Sequence, residues 1–131
     1  MSYFFLLIRV LLGLMFLLSG LGKFFETESF VRTLSHSGVP FTLELVLAAG
    51  LLQVICGPLL ILGAYTRLAA PALAAFTVIV TVLVHNFWSL SGEIAERQMI
   101  YALKNVVIFG LLMALVKWGP GRFALRRRAT D

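Results

Sequence analysis

Charged, amide, imidazole and phenol side chains interrupt stretches of sequence that are otherwise almost entirely apolar. These residues, called the polar set below, are Arg9, Lys23, Glu44, Gln53, His85, Asn86, Tyr101, Lys104 and Asn105. On insertion scales an ionised side chain at the centre of a bilayer costs about 2.5–3.5 kcal/mol. Each member therefore needs a polar partner or a functional reason, and the polar set supplies the candidate ligand-binding or polar-core residues.

The chemistry open to the polar set is hydrogen bonding and proton exchange. Lys104 and Asn105 can donate hydrogen bonds, and the imidazole of His85 can exchange a proton near neutral pH. No metal site or catalytic residue is predicted, because two histidines and a single cysteine do not form a ligand set and no catalytic triad is present. Since that cysteine has no partner in the chain, we also expect no intrachain disulfide and no dithiol redox centre.

The elements that position these residues follow from composition. The 131 residues are 60% hydrophobic and 13% charged, with a mean hydropathy of +0.98. This leaves too little polar surface to cover a water-soluble domain of this size. Apolar residues fill stretches of about twenty residues, the length that spans a bilayer. The sequence predicts one domain over residues 1–131, an all-α integral membrane four-helix bundle with spans at about 3–24, 41–63, 68–88 and 97–118.

The orientation follows from the basic residues. An even number of spans places both termini on one side, and the basic residues at the end of the chain predict that this side is the cytoplasm. They are Lys117, Arg122, Arg126, Arg127 and Arg128. We expect an up-down bundle in contact with lipid, and no nucleic-acid binding, because no recognition motif or aromatic interleaving accompanies the net charge of +5.

This topology brings most of the polar set into one layer near the extracytoplasmic surface, apart from Arg9 and Gln53. Two interpretations fit the layer. It forms a pocket for a small lipophilic molecule with a polar head, such as a quinone, with Glu44 holding Lys104 charged. Alternatively, Glu44 and Lys104 form a buried pair, and His85 and Asn105 make interhelical hydrogen bonds that only hold the bundle together.

Four further features bear on the site, and three of them leave alternatives open. Arg9 either extends its charge to the cytoplasmic surface or pairs with carbonyls around Tyr65. Gln53 lies near mid-depth, where its amide can bond to a ligand or to the carbonyl released by Pro58. Residues 26–40 contain apolar side chains at helical spacing, which predicts a short interfacial helix over the outer surface that could act as a lid. Small residues beside Gln53 could pack within the bundle or between protomers of a homo-oligomer.

Several motifs along the chain together resemble the DoxX family of small bacterial membrane proteins over almost the whole length. They are Arg9-Val10-Leu11-Leu12-Gly13, Ser19-Gly20-Leu21-Gly22-Lys23, Gly38-Val39-Pro40, Gly63-Ala64-Tyr65-Thr66-Arg67-Leu68-Ala69, His85-Asn86-Phe87, Lys104-Asn105 and Gly119-Pro120-Gly121-Arg122-Phe123. The resemblance implies a four-helix protein of the bacterial cytoplasmic (inner) membrane. One departure is Gln53, which stands where similar proteins often carry a glutamate, so a proton-handling role for that position is in doubt.

The resemblance also implies a range of functions, since similar proteins include membrane subunits of sulfur-compound:quinone oxidoreductases, partners in oxidative-stress complexes and accessory proteins for enzyme maturation. A shared fold does not by itself transfer chemistry. The leading hypothesis is a membrane component of a quinone-linked oxidoreductase or redox system with a protein partner. The alternative is a non-catalytic accessory protein for assembly of another membrane or exported protein. A small-solute transporter is a weaker third hypothesis, because no inverted repeat is visible.

Overall fold

Long apolar stretches without helix-breaking clusters form helices, because a bilayer offers the backbone no hydrogen-bond partner outside the helix. The computed structural model describes residues 2–36, 38, 40–83 and 91–119. Its helices are α1 (Ser2–Phe25), α2 (Thr27–His36), α3 (Thr42–Leu62), α4 (Thr66–Leu83) and α5 (Gly92–Trp118). All except α2 are long and apolar enough to cross a membrane. The all-α class, the four candidate spans and the short helix after the first span are therefore confirmed.

The ends of the helices differ from the predicted spans mainly around α4 and α5. The apolar part of α5 runs over Ala95–Trp118, but the helix itself begins at Gly92 and carries Glu93 in its first turn. An acidic residue is favourable there because it complements the positive end of the helix dipole. Hydropathy therefore finds the apolar part of this helix and misses its polar first turn. The predicted end of the third span, at residue 88, lies outside the described residues.

Pro71 lies deeper in α4 than the predicted span implies. We expected the third span to begin near residue 68, which would place Pro71 in its first turn, but the helix begins at Thr66. The amides of Leu68 and Ala69 already donate to the carbonyl oxygen of Tyr65. Because proline has no amide hydrogen, the carbonyl of Arg67 loses its usual helical donor.

Helices α1 and α3 pack closely through glycines spaced seven residues apart on each helix. A Cβ atom added to Gly57 would lie 2.8 Å from the carbonyl oxygen of Gly13, and one added to Gly20 would lie 2.9 Å from that of Gly50. Gly13, the earlier glycine of α1, thus meets Gly57, the later glycine of α3, so α1 and α3 run antiparallel. The small-residue stripe around Gln53 packs within the bundle, where small residues let membrane helices approach.

The remaining helices surround an apolar core. Leu60 of α3, Leu73 of α4, and Leu112 and Leu115 of α5 are fully buried there. Helix α3 lies between α1 and α4, α5 packs along α4, and α1 touches α5 only sparsely. The outer faces of the spans expose many large apolar side chains, as a surface in contact with lipid requires. The sparse packing between α1 and α5 leaves space inside the bundle.

Candidate functional site

A cavity of about 480 Å³ occupies the space between the spans, on the side where α1 leads into α2. Its volume falls within the range of small-molecule sites in proteins. Much of its wall is apolar and includes Met15, Phe16, Phe76 and Ile108. Its main polar groups come from three helices: Ser19 and Lys23 of α1, Gln53 of α3, and Tyr101, Lys104 and Asn105 of α5.

Lys23 is a buried polar residue of the cavity that donates two side-chain hydrogen bonds. Its Nζ donates a hydrogen bond of 2.7 Å to Gln53 Oε1 and one of 3.0 Å to Ser19 Oγ. The side chain is only 9% exposed, and its ammonium lies 4.7 Å from the centroid of the Phe30 ring. A helical side chain leans toward the N-terminus of its helix, which brings Lys23 over Ser19 one turn earlier. The close approach of α1 and α3 brings Gln53 within reach.

The wall formed by α4 and α5 is held by a short chain of hydrogen bonds. Asn105 Nδ2 donates to Thr81 Oγ1 at 3.0 Å, and the Thr81 hydroxyl donates to the carbonyl oxygen of Thr77 at 2.7 Å. Lys104, the next residue on α5, is exposed, and its Nζ lies 5.5 Å from the centroid of the Tyr101 ring. This wall therefore combines a fixed amide with a more accessible ammonium group.

Helix α2 covers one side of the cavity. Ser29, Phe30, Thr33 and Leu34 contribute to the lining, although no described residue of α2 is fully buried. The Thr27 hydroxyl donates to the carbonyl oxygen of Lys23 at 2.7 Å and ties the beginning of α2 to the end of α1. Thus the short helix adds both an aromatic ring and hydroxyl groups to the site.

The structure brings together only part of the polar set. Lys23, Gln53, Tyr101, Lys104 and Asn105 line the cavity. The predicted extracytoplasmic layer did not include Gln53. Gln53 nevertheless joins the other residues, because the long side chain of Lys23 extends toward the middle of α1 and bonds to the Gln53 amide. His85 and Asn86 lie outside the described residues, so their predicted place in this layer stays a prediction.

Arg9 lies away from the cavity. It is about 21 Å along α1 from Lys23 at 1.5 Å per residue. Its side chain is 0% exposed, which contradicts the first of the two alternatives, that the guanidinium extends to the cytoplasmic surface. A long side chain can reach the surface only where no other part of the bundle covers it, and the sequence of one helix does not show this.

The buried pair of Glu44 and Lys104, which one of the two interpretations of the polar layer requires, does not form. Glu44 is exposed in the first turn of α3 and does not line the cavity, and Lys104 is also exposed. Similar depth placed these residues together in the prediction, but depth does not determine which way a side chain faces around its helix axis. Glu44 is therefore not part of the lining of this cavity.

Sequence reasoning missed some polar partners. Ser19 bonds to Lys23, and Thr81 bonds to Asn105. The spacing of Ser19 and Lys23, one helical turn apart, is a signal that could have identified the first partner. The second required the packing of α4 against α5. Among the described residues, no group of three or more His, Cys, Asp or Glu side chains could hold a metal ion.

Comparison with known proteins identifies the family. The family model described as DoxX matches residues 4–86. The chain belongs to the DoxX family. The DoxX match covers α1, α2, α3 and the described part of α4, and therefore includes Lys23 and Gln53. It ends before α5, which carries Lys104 and Asn105.

Two curated relatives extend the similarity across nearly the whole chain. The inner membrane protein YphA of Escherichia coli (strain K12) is 29% identical over 123 residues, which cover 94% of this chain and 88% of that protein. The uncharacterized membrane protein Rv3486 of Mycobacterium tuberculosis (strain H37Rv) is 32% identical over 136 residues, with 92% of this chain and 78% of that protein covered. No solved structure gives a significant match. The chain is thus a DoxX-family integral membrane protein.

Proposed function

We propose that this DoxX-family protein is the membrane component of a quinone-linked oxidoreductase or oxidative-stress system and holds a small lipophilic molecule in its cavity. The observation that carries the proposal is the Lys23–Gln53 hydrogen bond of 2.7 Å beside a cavity of about 480 Å³. Buried polar groups grouped within an apolar cavity are typical of sites that orient a ligand by its polar head.

The residues of the cavity fit the carbonyl oxygens of a quinone. Lys23 and Lys104 can each donate hydrogen bonds from an ammonium group, while the apolar wall accommodates a ring or chain. A bound quinone would supply reversible uptake of electrons and protons. Lysine donors would stabilise negative charge that develops on its oxygens. Because the single cysteine provides no dithiol, we expect electrons to come from a protein partner.

The proposed setting is the bacterial cytoplasmic membrane. The name of the Escherichia coli relative supports an inner-membrane location. With both termini in the cytoplasm, the ends of α1 and α4 and the beginnings of α3 and α5 face outward. The cavity then opens toward the extracytoplasmic side, with α2 in the outer interface.

The second candidate function is that of a non-catalytic accessory protein for assembly of another membrane or exported protein. The Lys23–Gln53 bond joins α1 to α3, and the Asn105–Thr81 bond joins α5 to α4. Interhelical hydrogen bonds of this kind can serve only to hold a membrane bundle together. Under this hypothesis the cavity binds no specific ligand.

Mass spectrometry of the organic extract from gently purified protein separates these functions. We expect one quinone-like molecule per wild-type protein and its loss in Lys104→Met. Because Lys104 is exposed, this substitution should leave thermal stability in detergent nearly unchanged. Lys117→Met is the matched control, since it removes an ammonium from the far end of α5. Extraction of only bulk phospholipid from every variant would favour the accessory function.

A further inference from the structure

We infer that the cavity selects an amphiphile whose head carries a negative charge on a carboxylate or another acidic oxygen group. The inference rests on the proposed function, because it concerns the ligand of the same cavity. It narrows the ligand class from lipophilic molecules in general to acidic ones. A quinone that bears a carboxylate or an ionised ring hydroxyl belongs to this class.

The first argument is the charge balance of the cavity wall. Lys23 and Lys104 both line it, whereas none of its lining residues is acidic. All glutamates of the chain are among the described residues, and every one lies outside the lining: Glu26, Glu28, Glu44, Glu93 and Glu96. Within the described part of the chain, the cavity therefore presents positive charge without a carboxylate.

The second argument is the nature of the groups around Lys23. Its ammonium contacts the Gln53 amide oxygen, the Ser19 hydroxyl and the Phe30 ring. These groups orient the ammonium, but none carries a formal charge to balance it. Because an ammonium taken out of water loses favourable hydration, an oppositely charged head group would stabilise it. The resulting charge-assisted hydrogen bond is stronger than one to a neutral acceptor.

The third argument is the arrangement of the lining along the helices. Met15 lies about 12 Å along α1 from Lys23, and Ile108 lies about 6 Å along α5 from Lys104, at 1.5 Å per residue. Apolar lining thus continues into the bundle beyond the ammonium groups. The sparse contact between α1 and α5 leaves room for an apolar tail on that side. Charge and shape together fit an acidic head with a hydrocarbon tail.

Gln53 offers a test that changes charge with almost no change in shape. In Gln53→Glu a carboxylate would occupy the position of the amide that accepts from Lys23 at 2.7 Å. The protein would then balance the charge of Lys23 internally and repel an acidic head. We expect this variant to fold and to lose its preference for an anionic ligand.

The experiment uses the full chain in nanodiscs of zwitterionic phosphatidylcholine. The probes are a fluorescent polyene fatty acid, cis-parinaric acid, and its methyl ester, which has the same tail without the charge. We expect wild type to bind the acid at least about tenfold more tightly than the ester. A tenfold ratio of dissociation constants corresponds to roughly 1.4 kcal/mol of binding free energy. Gln53→Glu and Lys104→Gln should each weaken binding of the acid by about tenfold and leave the ester unchanged.

Matched variants and lipids complete the experiment. Lys104→Arg keeps the charge and should retain binding of the acid, and Lys117→Gln, the same change as Lys104→Gln at the other end of α5, should have no effect.

Adding phosphatidylglycerol to the nanodiscs distinguishes two sources of the anionic head. Displacement of the probe would indicate a membrane phospholipid, whereas unchanged binding would indicate a free acidic amphiphile.

Two results would overturn the inference. Equal affinity for acid and ester, unchanged in Lys104→Gln and Gln53→Glu, would exclude charge selection while leaving the proposed lipophile site intact. Failure of wild type to bind either probe, together with an organic extract that contains only bulk phospholipid, would overturn the proposed function as well.

Discussion

At the scale of single residues, the proposed site depends on a buried lysine whose hydrogen-bond partners are uncharged. Lys23 donates to Gln53 and Ser19. In hydrocarbon surroundings an unsatisfied donor is costly, so the Gln53 oxygen contributes to stability as well as to the shape of the cavity. A structural role and a binding role for this amide are therefore compatible.

Substitution of Gln53 separates the hydrogen bond from simple packing. We expect Gln53→Leu to lower the free energy of unfolding by about 1–3 kcal/mol, because the buried ammonium loses its acceptor. Gln53→Glu keeps an acceptor oxygen and should be at least as stable as wild type. Thermal unfolding in one detergent, followed by circular dichroism, measures both. If Gln53→Leu were as stable as Gln53→Glu, the Lys23–Gln53 bond would have no stabilising role.

At the scale of elements, the contact between α1 and α3 determines the position of Gln53. The backbones of α1 and α3 come close at two points, Gly13 against Gly57 and Gly20 against Gly50. Gln53, which accepts the hydrogen bond from Lys23, lies between these two points on α3. Larger residues at these positions would separate the helices and lengthen the Lys23–Gln53 distance. The glycines thus act on the site through the spacing of the helices.

Gly57 provides the test at this scale. The atoms nearest to an added Cβ are backbone atoms of Gly13 and Leu17, the closest at 2.8 Å. Because backbone cannot move aside as a side chain can, Gly57→Ala should destabilise the bundle by about 1–3 kcal/mol.

Gly110→Ala is the control for this prediction. It changes a helical glycine at which an added Cβ would meet no atom of another described helix within 4 Å. Alanine favours the helix over glycine, so this variant should be as stable as wild type or more stable. Thermal unfolding of both variants in the same detergent measures the difference. Equal melting temperatures for the two variants would contradict close packing of α1 against α3.

At the scale of the whole molecule, the orientation in the membrane decides which compartment the cavity faces. The chain has 11 Lys and Arg residues and 6 Asp and Glu residues, and many of the basic residues lie near its end. The positive-inside rule predicts that this end is cytoplasmic. In that proposed orientation helix α2 is on the extracytoplasmic surface, and the turn between α3 and α4 is on the cytoplasmic side.

Cysteine labelling in intact cells tests this orientation. Cys56 is buried, so Cys56→Ala supplies a background without thiols. In that background we expect Ser35→Cys, an exposed position on α2, to react with a membrane-impermeant maleimide. Arg67→Cys, exposed at the start of α4, should react only after the cells are opened. The opposite pattern would place the cavity on the cytoplasmic side.

Much of this molecule could be predicted from its sequence, because the relevant signals are local. The length and apolarity of a stretch determine whether it can span a bilayer, and its 1.5 Å rise per residue gives the depth of each side chain. On this basis the sequence predicts the four candidate spans, helix α2 and the proximity of four side chains that line the cavity, Lys23, Tyr101, Lys104 and Asn105.

Only the tertiary structure decided which side chains face one another at a given depth. The sequence places Glu44 and Lys104 at similar depth, yet Glu44 does not line the cavity, and Lys23 bonds to Gln53. The rotation of each helix about its axis depends on packing, here on Gly13 against Gly57 and Gly20 against Gly50. Hydropathy does not predict how each helix is rotated about its axis, because residues on opposite faces of one helical turn lie at nearly the same depth in the membrane.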